Sequence, residues 1–432
     1  MNNMKITVLG TGHVGLSTAV CFAQFGHQVV GVGTNQEKTA KLQKGVLPFY
    51  EPGFDQLVKQ YLHKGNLTFT TDYRQAIPGA KVVFVCVGTP ARENGQIDLS
   101  FIETACRSLA KAMTDPLLVV VKSTVPPGIQ EIIRPIIAKN SRFPFDLATC
   151  PEFLREGRAA YDTFNPDRII LGVESQKAAR VLLDLHQPIN APKYVMDINS
   201  AQMVKYSANA FLATRISFIN QIANLCDRVG ADVESVAKGL GADQRIGPHF
   251  LHPGLGYGGS CFPKDIAALT FFAKDHGLNL PIIKAASLVN QHQVLIVFDK
   301  IEKLVRPLKG KTIAILGLSF KAGTDDLREA PSIPLINKLF EQGVKIKAYD
   351  PVAMSAAQKI FGQKITFSKS SYQAAKNASA LVLVTEWPEF AKLDFKRLKR
   401  LMKKPNLIDS RNFFDPEKLK KIGFTYLGVG RR

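Results

Sequence analysis

The segment Gly10-Thr-Gly12-His-Val-Gly15 constrains the fold of this chain more than any other feature. It follows an apolar run at residues 4–9 and precedes a helical pattern at 16–25 and a second apolar run at 28–32. Glycines at this spacing allow a tight turn, let a phosphate approach the backbone and let a helix pack against a strand. The N-terminal region therefore predicts a strand, helix, strand unit that binds a dinucleotide.

The alternation of short apolar runs and helical patterns continues along the chain. Strands are expected at 81–87, 117–122, 146–149 and 168–172, and again at 311–318, 344–349, 380–384 and 406–408. Such alternation is typical of parallel, doubly wound sheets, in which ligands bind beyond the carboxyl ends of the strands. Residues 200–229 show helical spacing without proline or glycine, which predicts a helix about 45 Å long.

We therefore predict an α/β protein with two Rossmann-like, doubly wound sheet domains joined by a long central helix and a helical linker domain. The expected boundaries are 1–198 for the N-terminal dinucleotide-binding domain, 199–298 for the central helical domain and 299–432 for the C-terminal domain. The second sheet lacks the glycine-rich turn, which makes it less suited to a dinucleotide. The central helix is long enough to carry a homodimer interface.

Composition and charge exclude several classes of function. No stretch approaches the roughly 18–20 apolar residues of a membrane span, and the N-terminus lacks the pattern of a secretory signal, so we expect a cytoplasmic protein without a membrane partner. The net charge of +20 is spread along the chain, without a nucleic-acid-binding motif. It suits the attraction of small anionic ligands. Six cysteines without paired spacing indicate neither a metal site nor disulfides.

Cys261 differs from the other cysteines in its setting. It lies in the glycine-rich, polar run 256–265, whereas Cys86 and Cys226 lie in apolar patterns typical of a core. A thiolate is a good nucleophile toward an aldehyde. Together with the dinucleotide turn, Cys261 predicts a dehydrogenase that also forms a covalent intermediate.

The cofactor half departs from expectation at Gly33. The second strand of a dinucleotide-binding unit ordinarily ends in an acidic residue that binds the ribose hydroxyls and repels a 2′-phosphate. Here Gly33 occupies that position, and Thr34, Asn35 and Lys38 follow it. These three residues are candidate contacts for a 2′-phosphate, so the sequence leaves both NAD and NADP open.

Nine groups of residues give the chain a specific resemblance. Their order and spacing are similar to the UDP-glucose/GDP-mannose dehydrogenase family over essentially the whole chain. They are Pro48 to Gly53, Val87 to Pro90, Lys122 to Gly128, Pro151 to Gly157, Pro166 to Arg168, Lys205 to Leu212, Gly256 to Asp265, Phe320 and Lys321 with Thr324 to Glu329, and Tyr349 to Pro351.

The resemblance implies two successive NAD-dependent oxidations that convert the C6 hydroxymethyl group of a nucleotide sugar to a carboxylate. UDP-glucose is the expected substrate and UDP-glucuronate the product. Cys261 would form a thiohemiacetal and then a thioester. Lys205 and Asn209, four residues apart on one helix, would stabilise negative charge on the reacting oxygen.

The remaining catalytic assignments also come from the resemblance. Glu152 would be the general base for thioester hydrolysis, provided that partial burial raises its pKa. Thr124 would hold the water, and Asp265 would support the water or the cysteine. Glu156, at the same four-residue spacing from Glu152, would lie near the cofactor.

The binding residues implied by the resemblance fall into two sets, and no metal is expected. Arg245 would reach the sugar or phosphate across a homodimer interface, and the C-terminal domain would bind the UDP-sugar. The glycines at 254, 256, 258 and 259 would let backbone amides approach the phosphates. Cofactor contacts are expected from Gly10, Gly12, Val14, Gly15, Gly33, Thr34, Lys38, Thr89, Pro90, Ser123, Thr124, Glu156, Lys264 and Arg328. Substrate contacts are expected from Phe153, Leu154, Lys205, Asn209, Arg245, Phe250, Tyr257, Gly258, Lys321 and Arg411.

Three alternatives remain at this stage. The substrate could be GDP-mannose or another UDP-hexose, since these share the diphosphate and the C6 chemistry. The chain could also be a nucleotide-sugar-binding protein that has lost turnover, because it departs from relatives at Gly33 and at Cys150, where asparagine or serine is common. Cys150 would reduce hydrogen bonding beside Glu152.

Overall fold

The computed structural model describes residues 3–431, so the outermost residues of the first and third predicted domains lie outside it. The chain divides into two compact units. The first unit is Met1–Ala208 with Ala267–His276, and the second is Asn209–Ile266 with Gly277–Arg432. Within residues 3–431, none of the helices combines the length and the apolar character of a membrane span.

The first unit is built on a sheet of eight strands. Its strands are β1 (Lys5–Leu9), β2 (Gln28–Val32), β3 (Leu67–Thr70), β4 (Val82–Val85), β5 (Leu117–Val121), β6 (Phe145–Thr149), β7 (Ile169–Val173) and β8 (Lys193–Met196). Its helices are α1 (His13–Gln24), α2 (Gln36–Gln43), α3 (Phe54–His63), α4 (Tyr73–Ala76), α5 (Ser100–Ala112), α6 (Ile129–Asn140), α7 (Ala159–Phe164) and α8 (Gln176–His186).

The strand order of this sheet is β3-β2-β1-β4-β5-β6-β7-β8. Neighbouring strands are parallel, with Ile6 opposite both Val29 and Val82, except that β6 and β7 are antiparallel. Side chains alternate between two apolar layers, so that Ile6 and Val8 pack on one face and Leu9 on the other. Because both faces are covered, β4 and β5 are apolar at every position.

Four helices follow this sheet in the chain: α9 (Ile198–Val229), α10 (Val233–Gly241), α11 (Phe262–Asp275) and α12 (Pro281–Val305). The 32 residues of α9 correspond to about 48 Å, which confirms the predicted long helix. It begins in the first unit and continues into the second, whereas α11 begins in the second and continues into the first.

The second unit contains a sheet of six parallel strands in the order β11-β10-β9-β12-β13-β14. The strands are β9 (Thr312–Leu316), β10 (Lys345–Tyr349), β11 (Thr366–Phe367), β12 (Ala380–Leu383), β13 (Asn406–Asp409) and β14 (Thr425–Leu427). The helices are α13 (Ser332–Glu341), α14 (Met354–Phe361), α15 (Ser371–Ala375), a 3₁₀ helix at Pro388–Lys392, α16 (Phe395–Leu401) and α17 (Pro416–Ile422).

The predicted fold class is confirmed, because both sheets have the doubly wound order, which reverses between β1 and β4 and between β9 and β12. The sequence patterns missed β3, β8, β11 and β14. These strands are two to four residues long, and they present too few apolar residues to give a period.

Candidate active site

The glycine turn after β1 forms the cradle that a dinucleotide requires. Gly10 N–H donates to Val32 O over 2.8 Å, and α1 begins at His13, directly after Gly12. A Cβ on Gly15 would lie 1.9 Å from Gly10 O, whereas a Cβ on Gly12 would have no atom within 4 Å. Gly15 thus serves helix packing, and Gly12 leaves open space at the helix N-terminus, where a pyrophosphate is favoured.

The neighbouring strand ends supply the rest of this edge. Thr89 and Pro90 follow β4, and Ser123 and Thr124 follow β5. The Ser123 hydroxyl donates to Val87 O over 2.6 Å, so it links the two loops. Parallel strands place these carboxyl ends at the same edge as the glycine turn, where a nicotinamide dinucleotide fits.

Gly33 leaves no room for the acidic side chain that sequence rules lead one to expect. A Cβ there would lie 2.5 Å from Thr39 Oγ1 and 3.1 Å from Thr11 Oγ1. The Asn35 side chain accepts a hydrogen bond from Lys38 N and caps α2. The hydroxyls of Thr11 and Thr39 therefore fill the space directly beside Gly33.

In the first unit, Glu152 and Lys205 form a buried ion pair, which we call the Glu152–Lys205 pair. Lys205 Nζ lies 2.7 Å from Glu152 O and 3.1 Å from Glu152 Oε1, and both side chains are less than a tenth exposed. Burial raises the pKa of Glu152, but the Lys205 ammonium and the Leu154 N–H outweigh it and hold this pKa below its usual range. The expectation of a raised pKa for Glu152 is therefore wrong.

The segment carrying Glu152 is a clamped loop. Residues 151–157 form no helix, so the four-residue spacing of Glu152 and Glu156 does not place them on one helical face. The buried Glu51 carboxylate accepts from Gly157 N and Ala159 N, each at 2.8 Å. These contacts fix the end of the loop.

Sequence reasoning did not assign a role to Arg168, which stacks beside the Glu152–Lys205 pair. The guanidinium of Arg168 lies 3.8 Å from the centre of the Phe153 ring, and Lys205 Nζ lies 5.3 Å from the same ring. Arg168 belongs to a segment that matched the family, Pro166 to Arg168, but nothing in that segment indicated its role. It holds Phe153, a predicted substrate contact, against Lys205.

In the second unit, Cys261 immediately precedes α11, and Asp265 N donates to Cys261 O in the first turn. Cys261 is partly exposed, whereas the other five cysteines are buried, as expected. Its Sγ lies 3.6 Å from Ser260 Oγ. A helix N-terminus favours negative charge, which suits a nucleophilic thiolate.

Asp265 organises the amide of Asn209. Asn209 Nδ2 donates to Asp265 Oδ2 over 2.6 Å, and Lys264 Nζ lies 2.6 Å from Asp265 Oδ1. Asp265 and Asn209 are buried. The second Nδ2 hydrogen of Asn209 then has a fixed direction. Asp265 thus orients this donor and pairs with Lys264, a residue that the sequence predicts to contact the cofactor.

The glycine-rich loop before Cys261 does not form the expected phosphate nest at two of its positions. Gly254 N–H donates to Asn220 Oδ1 over 2.8 Å, and Gly259 N–H donates to Arg328 O over 2.9 Å. A Cβ on Gly258 would lie 2.1 Å from Glu329 O. These glycines are required by close packing of the loop, and the amides of 254 and 259 are already bonded within the protein.

The other predicted substrate residues of this loop are aromatic. The Tyr257 backbone is bonded on both sides to the Asn290 side chain. The Phe250 and Tyr257 rings both contact Phe262, with ring centres 6.4 and 5.7 Å apart. These two aromatic side chains therefore pack against Phe262, the first residue of α11, directly after Cys261.

Arg411 ties three loops of the second sheet together. Its guanidinium donates to Val384 O, Gly256 O and Phe320 O over 2.8, 3.0 and 3.4 Å. Lys321 lies next to Phe320, with Nζ 5.4 Å from that ring. The loops after β9, β12 and β13 thus meet the glycine-rich loop at the carboxyl edge of the sheet, where a ligand of this fold binds.

The remaining predicted arginines are exposed and paired locally. Arg245 is paired with Asp243, and Arg328 with Asp326, each at 2.6 Å. Arg215 donates to Ile246 O and Gly247 O, both at 2.7 Å, and so anchors the loop that carries Arg245 on α9.

Comparison with known proteins agrees with this geometry along the whole chain. Models of the UDP-glucose/GDP-mannose dehydrogenase family match at 4–190 for the NAD binding domain, 199–292 for the central domain and 314–416 for the UDP binding domain. The chain is 42% identical to UDP-glucose 6-dehydrogenase TuaD of Bacillus subtilis, covering 99% of this chain and 93% of that protein. It is 41% identical to UDP-glucose 6-dehydrogenase of Pseudomonas aeruginosa, covering 99% and 98%. The structure of a UDP-glucose dehydrogenase from Pyrobaculum islandicum superimposes with a TM-score of 0.94 at 36% identity, covering 100% and 98%.

Proposed function

Because this chain belongs to the UDP-glucose/GDP-mannose dehydrogenase family, we propose that it is a UDP-glucose 6-dehydrogenase. It oxidises the C6 hydroxymethyl group of UDP-glucose to the carboxylate of UDP-glucuronate in two steps. The observation that carries the proposal is the joint presence of a cysteine at the start of α11 and the ordered donors Lys205 and Asn209 one turn apart on α9. When bound, NAD supplies the acceptor for the two hydrides that leave C6.

In the proposed mechanism, Lys205 and Asn209 stabilise negative charge on the C6 oxygen. The alcohol loses a proton and a hydride to become an aldehyde, and Cys261 Sγ adds to it as a thiohemiacetal. Loss of a second proton and hydride leaves a thioester. Lys205 contacts Glu152, so engagement of Lys205 with the substrate oxygen weakens this contact and raises the basicity of Glu152.

Hydrolysis of the thioester then depends on Glu152 as general base. Its lowered pKa keeps it ionised at neutral pH, which is the form that accepts a proton. Glu152 takes a proton from a water held by Thr124, the water oxygen adds to the thioester carbon, and the bond to Cys261 breaks. The acid leaves, and the thiol is restored.

We infer that UDP-glucose is preferred as substrate over GDP-mannose and other UDP-hexoses. The 42% identity to UDP-glucose 6-dehydrogenase TuaD over 99% of this chain supports UDP-glucose. The test is kcat/KM for UDP-glucose, GDP-mannose and a second UDP-hexose under the same conditions. We expect the highest value with UDP-glucose, and turnover confined to GDP-mannose would contradict the proposal.

Loss of turnover is the alternative from another class, a protein that binds nucleotide sugars without oxidising them. The intact set of Cys261, Lys205, Asn209 and Glu152 favours an active enzyme. Substitution C261S is expected to abolish acid formation while UDP-glucose binding persists. A wild-type protein that binds UDP-glucose but forms no reduced cofactor would establish the alternative.

For the cofactor, we propose that NADP is accepted in addition to NAD. Gly33 carries no repelling carboxylate, the hydroxyls of Thr11 and Thr39 border it, and Lys38 is exposed nearby at the start of α2. The test compares kcat/KM and the dissociation constant for both cofactors in the wild type and in K38E. The variant should lose NADP binding selectively, whereas a wild type that binds only NAD would contradict NADP use.

We also propose that the protein forms a homodimer through α9. Phe211, Phe218 and Leu225 repeat at seven-residue intervals on this helix and are 62%, 49% and 56% exposed. Large apolar side chains aligned on one helical face favour association with another helix. In the dimer, Arg245 from one subunit would serve the substrate of its partner.

A further inference from the structure

Cys150 lies in a buried cluster of charged and titratable groups that the catalytic steps leave unused. It directly precedes Pro151 and Glu152, and its side chain is 2% exposed. Lys122, at the end of β5, approaches it with Nζ 3.1 Å from Cys150 O and 3.5 Å from Cys150 Sγ. Within residues 3–431, both hydrogen-bond acceptors of this ammonium belong to Cys150.

An ionised Cys150 sulfur gives Lys122 an anionic partner in direct contact. Cys150 supplies both hydrogen-bond acceptors of the half-buried Lys122 ammonium, with Sγ 3.5 Å from Nζ. Glu152 interacts electrostatically with Lys122, but its carboxylate contacts Lys205 and Leu154 N. A partly desolvated cation is costly without a counter-charge, and a thiolate at Cys150 supplies one.

The other groups that face Cys150 are compatible with an ionised sulfur. His186 Nδ1 lies 2.8 Å from Leu182 O and so carries a hydrogen, while Nε2 faces Cys150 Sγ at 3.9 Å. The remaining titratable neighbours are Cys21 and Cys86, whose pKa burial raises to about 12, so they stay neutral.

The electrostatic balance at Cys150 agrees with this geometry. Burial raises the pKa of Cys150, but the Lys122 ammonium and His186 outweigh it and lower the pKa to about 6. Burial likewise opposes the charge on Lys122, and the negative charge at Cys150 restores it, so the net direction of the Lys122 pKa is upward. At neutral pH the pair is thus thiolate and ammonium.

We propose that Cys150 is a positioning residue for Glu152, acting as a thiolate that neutralises Lys122 and holds the turn leading to the general base. The inference rests on the proposed role of Glu152. When Cys150 takes up a proton below neutrality, the charge of Lys122 is no longer balanced and acts on Glu152. A carboxylate facing more positive charge is a weaker base, so thioester hydrolysis slows as the pH falls.

Thiolate absorbance in the ultraviolet tests the ionisation without using activity. The wild type is titrated from about pH 8 to about pH 5 beside C150S, with C106S as a control for loss of a buried cysteine, since Cys106 is fully buried in the core of the same unit. We expect the wild type and C106S to lose one thiolate near the same pH and C150S to lack this step. Coincident curves for the wild type and C150S would overturn the proposal.

The pH profile of kcat with UDP-glucose tests the positioning role. The wild type should be about fivefold slower at about pH 5.5 than at about pH 8. C150S should be slower than wild type at about pH 8 and nearly flat, while C150D, which keeps the negative charge, should be fast and flat. If the thiolate step is present but all three profiles coincide, Cys150 has no positioning role. Failure of the wild type to form two reduced cofactors per sugar would instead count against the proposed function.

Discussion

At the scale of single residues, the contact of Glu152 with Lys205 controls the basicity of the proposed general base. Lys205 contacts Glu152 through both the backbone and the side-chain oxygen, so the carboxylate stays ionised and its basicity rises when substrate engages the lysine. Substitution E152Q keeps the size of the side chain and removes its basicity. We expect kcat to fall by about 10²–10⁴-fold and a sugar thioester on Cys261 to accumulate, as measured by intact-protein mass spectrometry.

A matched control for E152Q is E37Q, since Glu37 lies on the surface at α2 and forms an exposed ion pair with Lys41. That variant should retain wild-type kcat. If E152Q slowed turnover without any covalent adduct, Glu152 would act before the thioester forms, and its assignment to hydrolysis would be wrong.

The Glu152–Lys205 pair also predicts that the stability of the fold depends on pH. The pKa of Glu152 is lower in the folded chain than the usual value of about 4.3. Ionisation of this group therefore contributes stability above that value, and the contribution is lost as the pH falls through the folded-state pKa. The difference in thermal midpoint between wild type and E152Q should shrink from about pH 7 to about pH 3. A difference that grows on acidification would contradict a lowered pKa.

At the scale of elements, the glycine turn and α1 separate packing from cofactor binding. A methyl group at Gly15 collides with Gly10 O, whereas one at Gly12 meets no atom within 4 Å. We expect G15A to lower stability by about 1–3 kcal/mol and to lose dinucleotide binding. G12A should keep the wild-type thermal midpoint and weaken NAD binding by about tenfold or more, as measured by titration. Equal thermal losses in both variants would contradict this division of roles.

The elements with strong patterns were predictable from the sequence, and the weak ones were not. Strands β4 and β5 are apolar at every position, and α9 has no proline or glycine, so their periodicity identifies them. Strands β8 and β11 lie at the sheet edges and carry half-exposed side chains. Their place in the sheet comes from tertiary pairing, which a local pattern does not contain.

The candidate site was predictable in its residue types but not in its electrostatics. Motifs identified Cys261, Lys205, Asn209 and Glu152. They did not reveal that Lys205 lowers the pKa of Glu152, because that effect depends on a contact between residues 53 apart in sequence. For the same reason, the thiol at Cys150 read as a lost hydrogen bond, whereas it contacts the Lys122 ammonium.

At the scale of the whole molecule, the proposed dimer links assembly to substrate affinity. We expect F218E combined with L225E to yield a monomer by sedimentation. Because Arg245 is proposed to act across the interface, this variant should weaken UDP-glucose binding as much as R245A, without further loss when the two are combined. I360E places the same charge on another exposed apolar residue of the second unit and should remain dimeric. A dimeric double variant would exclude this face of α9.

Counting reduced cofactor against sugar consumed tests whether one site performs two oxidations through Cys261. Limiting UDP-glucose is converted to completion with excess NAD, and reduced NAD and UDP-glucuronate are both measured. We expect two reduced NAD and one UDP-glucuronate per UDP-glucose for the wild type, and no acid for C261S. One reduced NAD per sugar in the wild type, or unchanged acid formation by C261S, would contradict this expectation.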